Sequence, residues 1–277
     1  MKKLISVLCL LAMFAAALLP AQAQAEQIRV GALTGPTAMG MAGLLGNDAC
    51  APSVFGSADE LTPLILKGEV DLAAVPANLA ATLYNKTGGG VTALAVNVLG
   101  VLYICAYQMP EIASLEDLRG QTLYATGKGA TPEYFLRYVL TRNGLDPDRD
   151  LTIEWKSEPG EVVALLNARQ SGIAMLPQPY VTAAAAQLGE GFRSALSVSQ
   201  EWERLEDGTR CTTAVVIGRT EYIRQHPAEV EAFLEQMSAS VAWVNENPAQ
   251  AAALCQELGI AKAAVAEKAI PQCNLVC

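Results

Sequence analysis

The stretch E-L-T-P-L-I-L-K-G-E-V-D-L-A-A-V-P at residues 60–76 decides the fold, because a similar stretch, E-V-V-A-L-L-N-A-R-Q-S-G-I-A-M-L-P, follows at residues 161–177. Each copy starts with apolar residues at helical spacing, passes through a polar turn, and continues as a short apolar run that ends in proline. Each therefore predicts an amphipathic helix, a buried strand and a loop that opens another helix. The chain is predicted to contain two copies of one α/β unit.

A second matched unit lies upstream of each copy. Residues 28–33 predict a strand that ends in the loop T-G-P-T, and residues 121–125 predict a strand that ends in T-G-K-G. A helix follows each loop, and Thr131 is the predicted N-cap of the second of these helices. Ligands of open α/β sheets bind at the carboxyl ends of the strands. Two such halves predict a clamshell that closes on a ligand.

The amino terminus has the pattern of an export signal. Lys2 and Lys3 form a basic start, residues 4–19 are an apolar run too short for an ordinary membrane span, and residues 21–25 read A-Q-A-Q-A. We predict that a signal peptide, residues 1–25, is cleaved near Ala25 and that the mature protein is periplasmic.

Glu26 is the predicted first residue of the mature protein, and Gln24 is the alternative start. A lipoprotein would need a cysteine at the end of the apolar run, whereas Cys9 lies near its beginning. We therefore expect a mature chain without a lipid anchor.

The charge of the chain argues against two classes of partner. It has 19 Lys plus Arg against 28 Asp plus Glu, a net charge of −9, which becomes −11 once the two signal-peptide lysines are removed. Nucleic acids and anionic lipids call for a basic patch or stripe. We therefore expect neither as a partner.

The shortage of histidine constrains catalysis. His226 is the single histidine, and it precedes a proline at a predicted exposed helix start. A Ser-His-Asp site, a Cys-His site and a multi-histidine metal centre are thereby disfavoured. The chain also lacks G-x-S-x-G, a Walker sequence and a C-x-x-C pair. We predict that the protein is not an enzyme and has no cofactor and no metal.

Five motifs, taken in order, carry a family resemblance. They are V-G-A-L-T-G-P-T-A-M-G at residues 30–40, G-E-V-D-L-A-A-V-P-A-N at 68–78, L-A-V-N-V-L-G-V-L-Y at 94–103, S-L-E-D-L-R-G-Q at 114–121 and W-V-N-E-N-P at 243–248. In this order the motifs resemble periplasmic substrate-binding proteins of ABC transporters. The nearest branch is similar to the binders of nitrate, sulfonate, taurine and thiamine pyrimidine.

The resemblance implies the type II periplasmic-binding-protein fold, an α/β clamshell whose two lobes are joined by two crossover strands. Residues 26–105 and 207–277 are then expected to form a discontinuous first lobe, and residues 106–206 the second. The chain would cross between the lobes near residues 105–108 and 196–212. The implied partners are a small-molecule ligand and an inner-membrane ABC permease, and the protein is expected to be a monomer.

Polar residues at the predicted strand ends are the candidate ligand contacts: Thr34, Gly35, Pro36, Thr37, Asn78, Asn97, Lys128, Gly129, Thr131 and Gln178. Backbone N–H groups and hydroxyls at 34–37 suit a carboxylate, sulfonate or phosphate oxygen. Lys128 would neutralise an anion, and the amides of Asn78 and Gln178 would hold one ligand from two sides.

Each of these contacts has an ordinary structural alternative. Thr37, Asn78 and Gln178 are also typical helix-capping residues, and Lys128 is equally typical of an exposed loop. Asn97 interrupts an apolar strand end, where its amide needs either the ligand or a bond within the turn.

Six cysteines remain after the signal peptide is removed. In the fold that the resemblance implies, the two crossover strands run side by side, which suggests a disulfide between Cys105 and Cys211. Cys255 and Cys273 form a second candidate pair. Thiols buried in the core are the alternative.

The resulting functional hypothesis is a solute receptor that captures a small polar or anionic organic molecule and delivers it to a permease. A sensory protein that presents the same clamshell to a membrane receptor is the first alternative. A secreted enzyme on the same fold is the second, and it is disfavoured by the missing histidines.

Overall fold

The structure, a computed structural model, describes residues 27–45, 50–205 and 208–277. The predicted export signal and its cleavage site lie outside the described residues. Two five-stranded sheets form the centres of two lobes, so the predicted α/β clamshell is confirmed.

The first sheet has the strand order β2-β1-β3-β10-β4. Its strands are β1 (Ile28–Leu33), β2 (Cys50–Phe55), β3 (Leu72–Pro76), β4 (Val91–Val98) and β10 (Ala214–Arg219). β1 pairs in parallel with β2 and β3, whereas β10 runs antiparallel between β3 and β4. Parallel strands buried on both faces read as continuous apolar runs, which is why residues 72–76 carry no polar side chain.

The second sheet repeats this pattern with the order β7-β6-β8-β5-β9. Its strands are β5 (Leu102–Tyr107), β6 (Thr122–Thr126), β7 (Thr152–Lys156), β8 (Gly172–Pro177) and β9 (Phe192–Ser197). β6 pairs in parallel with β7 and β8, and β5 is the antiparallel strand. The internal repeat seen in the sequence is therefore a repeat of sheet topology as well.

The helices cover both faces of the sheets. Those of the first lobe are α1 (Pro36–Met39), α2 (Ala42–Leu45), α3 (Ala58–Lys67), α4 (Ala77–Thr87), α9 (Thr220–Gln225), α10 (Pro227–Glu246), α11 (Pro248–Glu257) and α12 (Ala263–Ala269). Those of the second are α5 (Thr131–Arg142), α6 (Pro159–Arg169), α7 (Tyr180–Leu188) and α8 (Val198–Glu203). Each sheet separates two hydrophobic clusters, as expected for a doubly covered sheet.

Local sequence explains where several elements begin and end. Gly68 ends α3 in the left-handed conformation, with φ of 74°. Ser114 and Asp117 form a capping box over the short 3₁₀ turn Leu115–Leu118. The predicted cap of α5 is wrong in one respect: Ala130 occupies the N-cap position, and Thr131 is the first helical residue.

The first crossover lies earlier than predicted. β5 pairs along its whole length with strands of the second sheet, so the chain leaves the first sheet after Val98 and not near Cys105. The runs on either side of residues 99–101 are both mostly apolar, so the sequence does not mark the point at which the chain passes from one sheet to the other. The predicted division of the whole chain into lobes stays a prediction.

Both predicted disulfides are wrong in this structure, in which the six cysteines between residues 50 and 277 are free thiols. Cys105 lies within β5, in the hydrophobic cluster between the second sheet and α6 and α7. Cys211 lies instead beside Gly100 in the crossover. The two side chains therefore pack in different surroundings. Cys255 and Cys273 share the core of the first lobe without a bond between them.

Along the described chain, none of the helices combines the length and the apolar character needed to cross a membrane.

Candidate functional site

The carboxyl ends of three parallel strands converge on one cleft. β1 ends at Leu33 and β3 at Pro76 in the first sheet, β8 ends at Pro177 in the second, and these three end residues all line the cleft. The cleft between them has a volume of about 560 Å³, which is typical of a site for a small ligand. Its walls come from both lobes and are formed by residues 33–37, 76, 98, 101, 177–180, 213–214, 260–262 and 265.

Four of the predicted contacts, Thr34, Gly35, Pro36 and Thr37, form one wall of the cleft. Gly35 adopts φ of 87°, which favours glycine. A Cβ atom on this residue would lie 3.9 Å from the Cδ atom of Pro179 across the cleft. The hydroxyl of Thr37 donates a hydrogen bond to the carbonyl of Leu33 at 2.5 Å. This hydroxyl therefore shapes the loop but does not cap α1, whose N-cap residue is Gly35, so the capping alternative is wrong for Thr37.

Asn97 supports this loop from behind. Its side chain is 2% exposed, and its Nδ2 atom donates to the carbonyl oxygen of Thr37 at 3.0 Å. Its Oδ1 atom is buried and has no hydrogen-bond partner among the described residues. The hydroxyl of Thr213, a cleft residue, is also buried and unpaired there. Buried polar atoms without partners are costly, and the hydroxyl of Thr213 borders the cleft, where a ligand can reach it. Asn97 is not among the residues that line the cleft, so a ligand contact by Asn97 stays a prediction.

Gln178 lines the cleft but is already bonded within the protein. Its Oε1 atom accepts hydrogen bonds from the backbone N–H and the hydroxyl of Thr182, at 3.3 and 2.9 Å. Its Nε2 atom then donates to the Oε1 atom of Gln272 at 2.9 Å. Because Gln272 packs with the first lobe and Gln178 belongs to the second, this bond joins the two lobes.

Gln272 also accepts a second hydrogen bond from the second lobe, through its backbone carbonyl. The hydroxyl of Tyr103 donates to the backbone carbonyl of Gln272 at 2.9 Å. Burial raises the pKa of Tyr103 to about 12, with smaller contributions from the nearby thiols of Cys273 and Cys105. Tyr103 therefore keeps its proton and remains a donor at neutral pH.

Asn78 and Thr131 meet, although neither lines the cleft. The hydroxyl of Thr131 donates to the Oδ1 atom of Asn78 at 3.0 Å. Asn78 lies at the start of α4 in the first lobe, and Thr131 at the start of α5 in the second. This bond is a further bridge between the lobes.

The structure does not bring Lys128 and Gly129 to the cleft. Lys128 lines a separate polar depression of about 480 Å³ together with Trp155, Lys156 and Glu161. The backbone N–H of Gly129 donates to the Oε2 atom of Glu133 at 2.7 Å. A ligand contact by Lys128 or Gly129 stays a prediction.

Sequence reasoning missed three polar residues of the site: Thr213, Lys262 and Gln272. Lys262 is the N-cap residue of α12 and is the one charged residue among those that line the cleft within the described chain. These residues come from the carboxyl-terminal part of the chain, which has no counterpart in the internal repeat. Lys262 could have been noticed in the sequence, because it is a charged residue between two mostly apolar helical segments.

The single histidine lies outside the lining of the cleft. His226 is partly exposed, stacks on Tyr222 with ring centroids 4.5 Å apart, and lies 3.5 Å from Glu229. Within the described ranges, no group of three or more His, Cys, Asp or Glu residues is placed to hold a metal ion.

Two lobes of matched topology, a cleft between them and hydrogen bonds that cross it define the class of two-lobed solute-binding proteins. The chain belongs to the NMT1-like family, whose model matches residues 37–259.

Solved structures of binding proteins share the fold. An ABC transporter protein from Parabacteroides distasonis is 25% identical, with a TM-score of 0.75 over 91% of this chain and 85% of that one. The periplasmic aliphatic sulphonate-binding protein SsuA of Escherichia coli is 17% identical, with a TM-score of 0.71 over 91% and 85%. The periplasmic nitrate-binding protein NrtA of Synechocystis PCC 6803 is 16% identical, with a TM-score of 0.59 over 84% and 66%. No curated protein matches the chain.

Proposed function

We propose that the protein is the periplasmic receptor of an ABC importer. It binds a small polar or anionic organic molecule between its lobes and delivers this molecule to an inner-membrane permease. One observation carries the proposal: residues 34–37 of the first lobe and 177–180 of the second line the same cleft. The export signal predicted at residues 1–25 and the periplasmic binding proteins among the similar structures support the location.

Closure of the lobes is the step by which the permease would detect that a ligand is bound. A molecule in the cleft contacts both lobes only when they are closed, so its binding free energy favours the closed form. The two bridges between the lobes, Asn78 with Thr131 and Gln178 with Gln272, also exist only in that form. A permease that recognises the closed form would therefore distinguish loaded from empty receptor.

The contacts that we assign to the ligand follow from the free groups in the cleft. The Thr34–Thr37 wall supplies backbone and hydroxyl groups, and the unpaired hydroxyl of Thr213 supplies one further hydrogen-bonding position. Asn97 acts indirectly, because its side chain holds the carbonyl of Thr37 from behind the wall. Gln178 acts at the opposite wall, either through its bond to Gln272 or by exchanging that bond for one to the ligand.

The test starts from the ligand that the native host supplies. Native mass spectrometry of the purified protein identifies a bound molecule, and calorimetry with that molecule then measures its affinity. X-ray scattering with and without it measures compaction of the lobes. We expect a smaller radius of gyration on binding and a two- to tenfold loss of affinity, roughly, for Thr37→Ala, because one hydrogen bond that shapes the wall is removed.

Lys86→Ala is the matched control. Lys86 lies in the last turn of α4, away from the cleft, so its removal should leave affinity unchanged. A ligand that binds without compaction, or equal losses for Thr37→Ala and Lys86→Ala, would argue against a clamshell receptor with its site in this cleft.

A further inference from the structure

The walls of the cleft between the lobes are mainly hydrocarbon. Val98, Val101, Ile260 and Val265 contribute branched side chains, and proline rings at positions 36, 76, 177 and 179 lie among them. Such walls bind an apolar body by removing it from water. They offer nothing to the hydration shell of an ion, so an ion that enters the cleft would lose its solvation without replacement.

The amide in the opposite wall is largely committed to the protein itself. The Oε1 atom of Gln178 accepts two hydrogen bonds from Thr182, and the Nε2 atom donates to Gln272. Because a primary amide has two N–H donors, Gln178 keeps at most one of them for a ligand. One N–H donor is enough for a carbonyl or hydroxyl oxygen, but it cannot surround an anionic group that has several acceptor atoms.

The loop that precedes α1 is also short of donors for an anion. The start of a helix binds an anion through several free backbone N–H groups. Here the first helical residue is Pro36, which has no N–H, and the N–H of Ala38 donates to the carbonyl of Gly35 at 3.1 Å. This wall therefore supplies few of the donors that an anion site needs.

Two further polar groups border the cleft. The hydroxyl of Thr213 is buried and has no hydrogen-bond partner among the described residues, and it can either donate or accept. Lys262 is the one cation in the described lining, and its side chain is exposed. An exposed ammonium group keeps its hydration, and an ion pair with it contributes little. Lys262 therefore does not offset the cost of burying a charge between the apolar walls.

We infer that the ligand of this cleft is an uncharged organic molecule with a largely hydrocarbon body, whose hydroxyl or carbonyl group hydrogen-bonds to Thr213. This inference rests on the receptor function proposed above and narrows its ligand to the neutral class. It excludes inorganic anions, organic anions and amines as the preferred ligands.

Four probes test the preference for a neutral, apolar ligand. Cyclohexylmethanol is uncharged, cyclohexanecarboxylate is an anion and cyclohexylmethylamine is a cation, and all three have the same ring. Glycerol is uncharged but has no hydrocarbon body. Calorimetry should show that the alcohol binds at least about tenfold more tightly than the acid or the amine, and that glycerol does not bind. If the acid, the amine or glycerol binds as tightly as cyclohexylmethanol, or if cyclohexylmethanol does not bind, the inference is overturned.

Thr213→Val tests the assigned contact. Valine keeps the shape of threonine without the hydroxyl, so cyclohexylmethanol should bind roughly two- to tenfold more weakly. Because the hydroxyl has no partner in the described protein, its removal should not lower the urea midpoint of the ligand-free variant. Thr212→Val is the matched control, at the neighbouring residue outside the lining of the cleft, and should bind the alcohol as the wild type does. An unchanged affinity of Thr213→Val, or an equal loss in Thr212→Val, would show that the assignment to Thr213 is wrong.

The molecule bound by protein from the native host separates this inference from the proposed function. A charged molecule that compacts the lobes would contradict the neutral class and leave the receptor function standing. If no molecule of any charge compacts the lobes, the receptor function itself fails.

Discussion

The hydroxyl of Thr131 donates a hydrogen bond to the side-chain oxygen of Asn78 at 3.0 Å, across a separation of 53 residues in the chain. The two residues start helices of different lobes, so this bond joins the lobes in the structure. Both were expected to contact a ligand; they contact each other and do not line the cleft, and a ligand contact by either stays a prediction.

Thr131→Val should weaken closure without disturbing the fold. Valine has nearly the shape of threonine but lacks the hydroxyl, so the variant removes one bridging hydrogen bond worth about 0.5 to 1.5 kcal/mol. We expect ligand affinity to fall roughly two- to tenfold and the lobes to compact less in X-ray scattering. Thr141→Val, at an exposed position of the same helix, should change neither quantity. Similar effects of both variants would show that the bond does not favour closure.

Gln272→Ala should loosen the other side of the cleft. The change leaves the buried Nε2 atom of Gln178 without its acceptor, which costs about 1 to 3 kcal/mol, while the backbone bond from Tyr103 is kept. We expect a lower midpoint in urea unfolding and weaker ligand binding. Gln250→Ala, on the exposed side of α11, is the control and should behave as the wild type. If the ligand affinity of Gln272→Ala is unchanged, the hydrogen bond between Gln178 and Gln272 does not contribute to closure of the lobes.

Gly100→Ala should damage the crossover between the lobes. An added Cβ atom would lie 2.5 Å from Cβ of Ser199, closer than such atoms approach, and 3.1 Å from Cβ of Cys211, which is a tight contact. We expect a loss of about 1 to 3 kcal/mol in the free energy of unfolding, measured in urea. A double variant with Ser199→Gly should recover part of this loss. Gly160→Ala, where a Cβ atom meets nothing within 4 Å, should be neutral or slightly stabilising.

Asp71 makes the stability of the first lobe depend on pH. Burial alone would raise the pKa of Asp71, but hydrogen bonds from Arg29 and Arg219 outweigh it and lower that pKa below its ordinary value of 3.8. A carboxyl group with a lowered pKa stabilises the fold above its unfolded pKa, and this contribution is lost as the pH falls through the folded value. Stability should therefore drop below about pH 4.

Asp71→Asn tests this dependence. The substitution leaves two arginines beside a buried neutral group, so we expect a loss of roughly 3 to 5 kcal/mol at pH 7 by urea unfolding. The difference from the wild type should shrink as the pH falls below the ordinary pKa of the carboxyl group. Glu231→Gln, an exposed acid on α10, is the control. A difference that stays constant down to pH 2 would exclude titration of Asp71 as the cause.

The cysteines should differ sharply in reactivity. Burial raises the pKa of Cys211 to about 12, of Cys255 to about 11 and of Cys273 to about 12, so their reactive thiolate forms are rare at pH 8. Cys277 is the exposed cysteine of the set. Brief alkylation of the native protein followed by peptide mass spectrometry should modify Cys277 first and the buried five only after unfolding. A disulfide-linked peptide in that map would contradict the free thiols.

The local pattern of the chain was sufficient to predict both copies of the α/β unit and most of the strand ends. Strand 28–33, helix 58–67 with Gly68 at its end, and the loop at 34–37 all depend on short-range effects, namely side-chain periodicity, capping and the conformational freedom of glycine. The clamshell followed because two matched units with loops at equivalent positions leave few other arrangements.

Tertiary structure alone decided where each functional side chain finds its partner. Gln178 and Gln272 lie 94 residues apart, and the second has no counterpart in the repeat, so only the packing of the carboxyl-terminal segment against the cleft brings them together. The same holds for the cation: Lys128 follows a predicted site strand yet faces a separate depression, while Lys262 reaches the cleft from α12. Side-chain hydrogen bonds and charge contacts act over only a few ångströms, so they depend on how the two lobes are placed relative to each other. No local sequence pattern carries that placement.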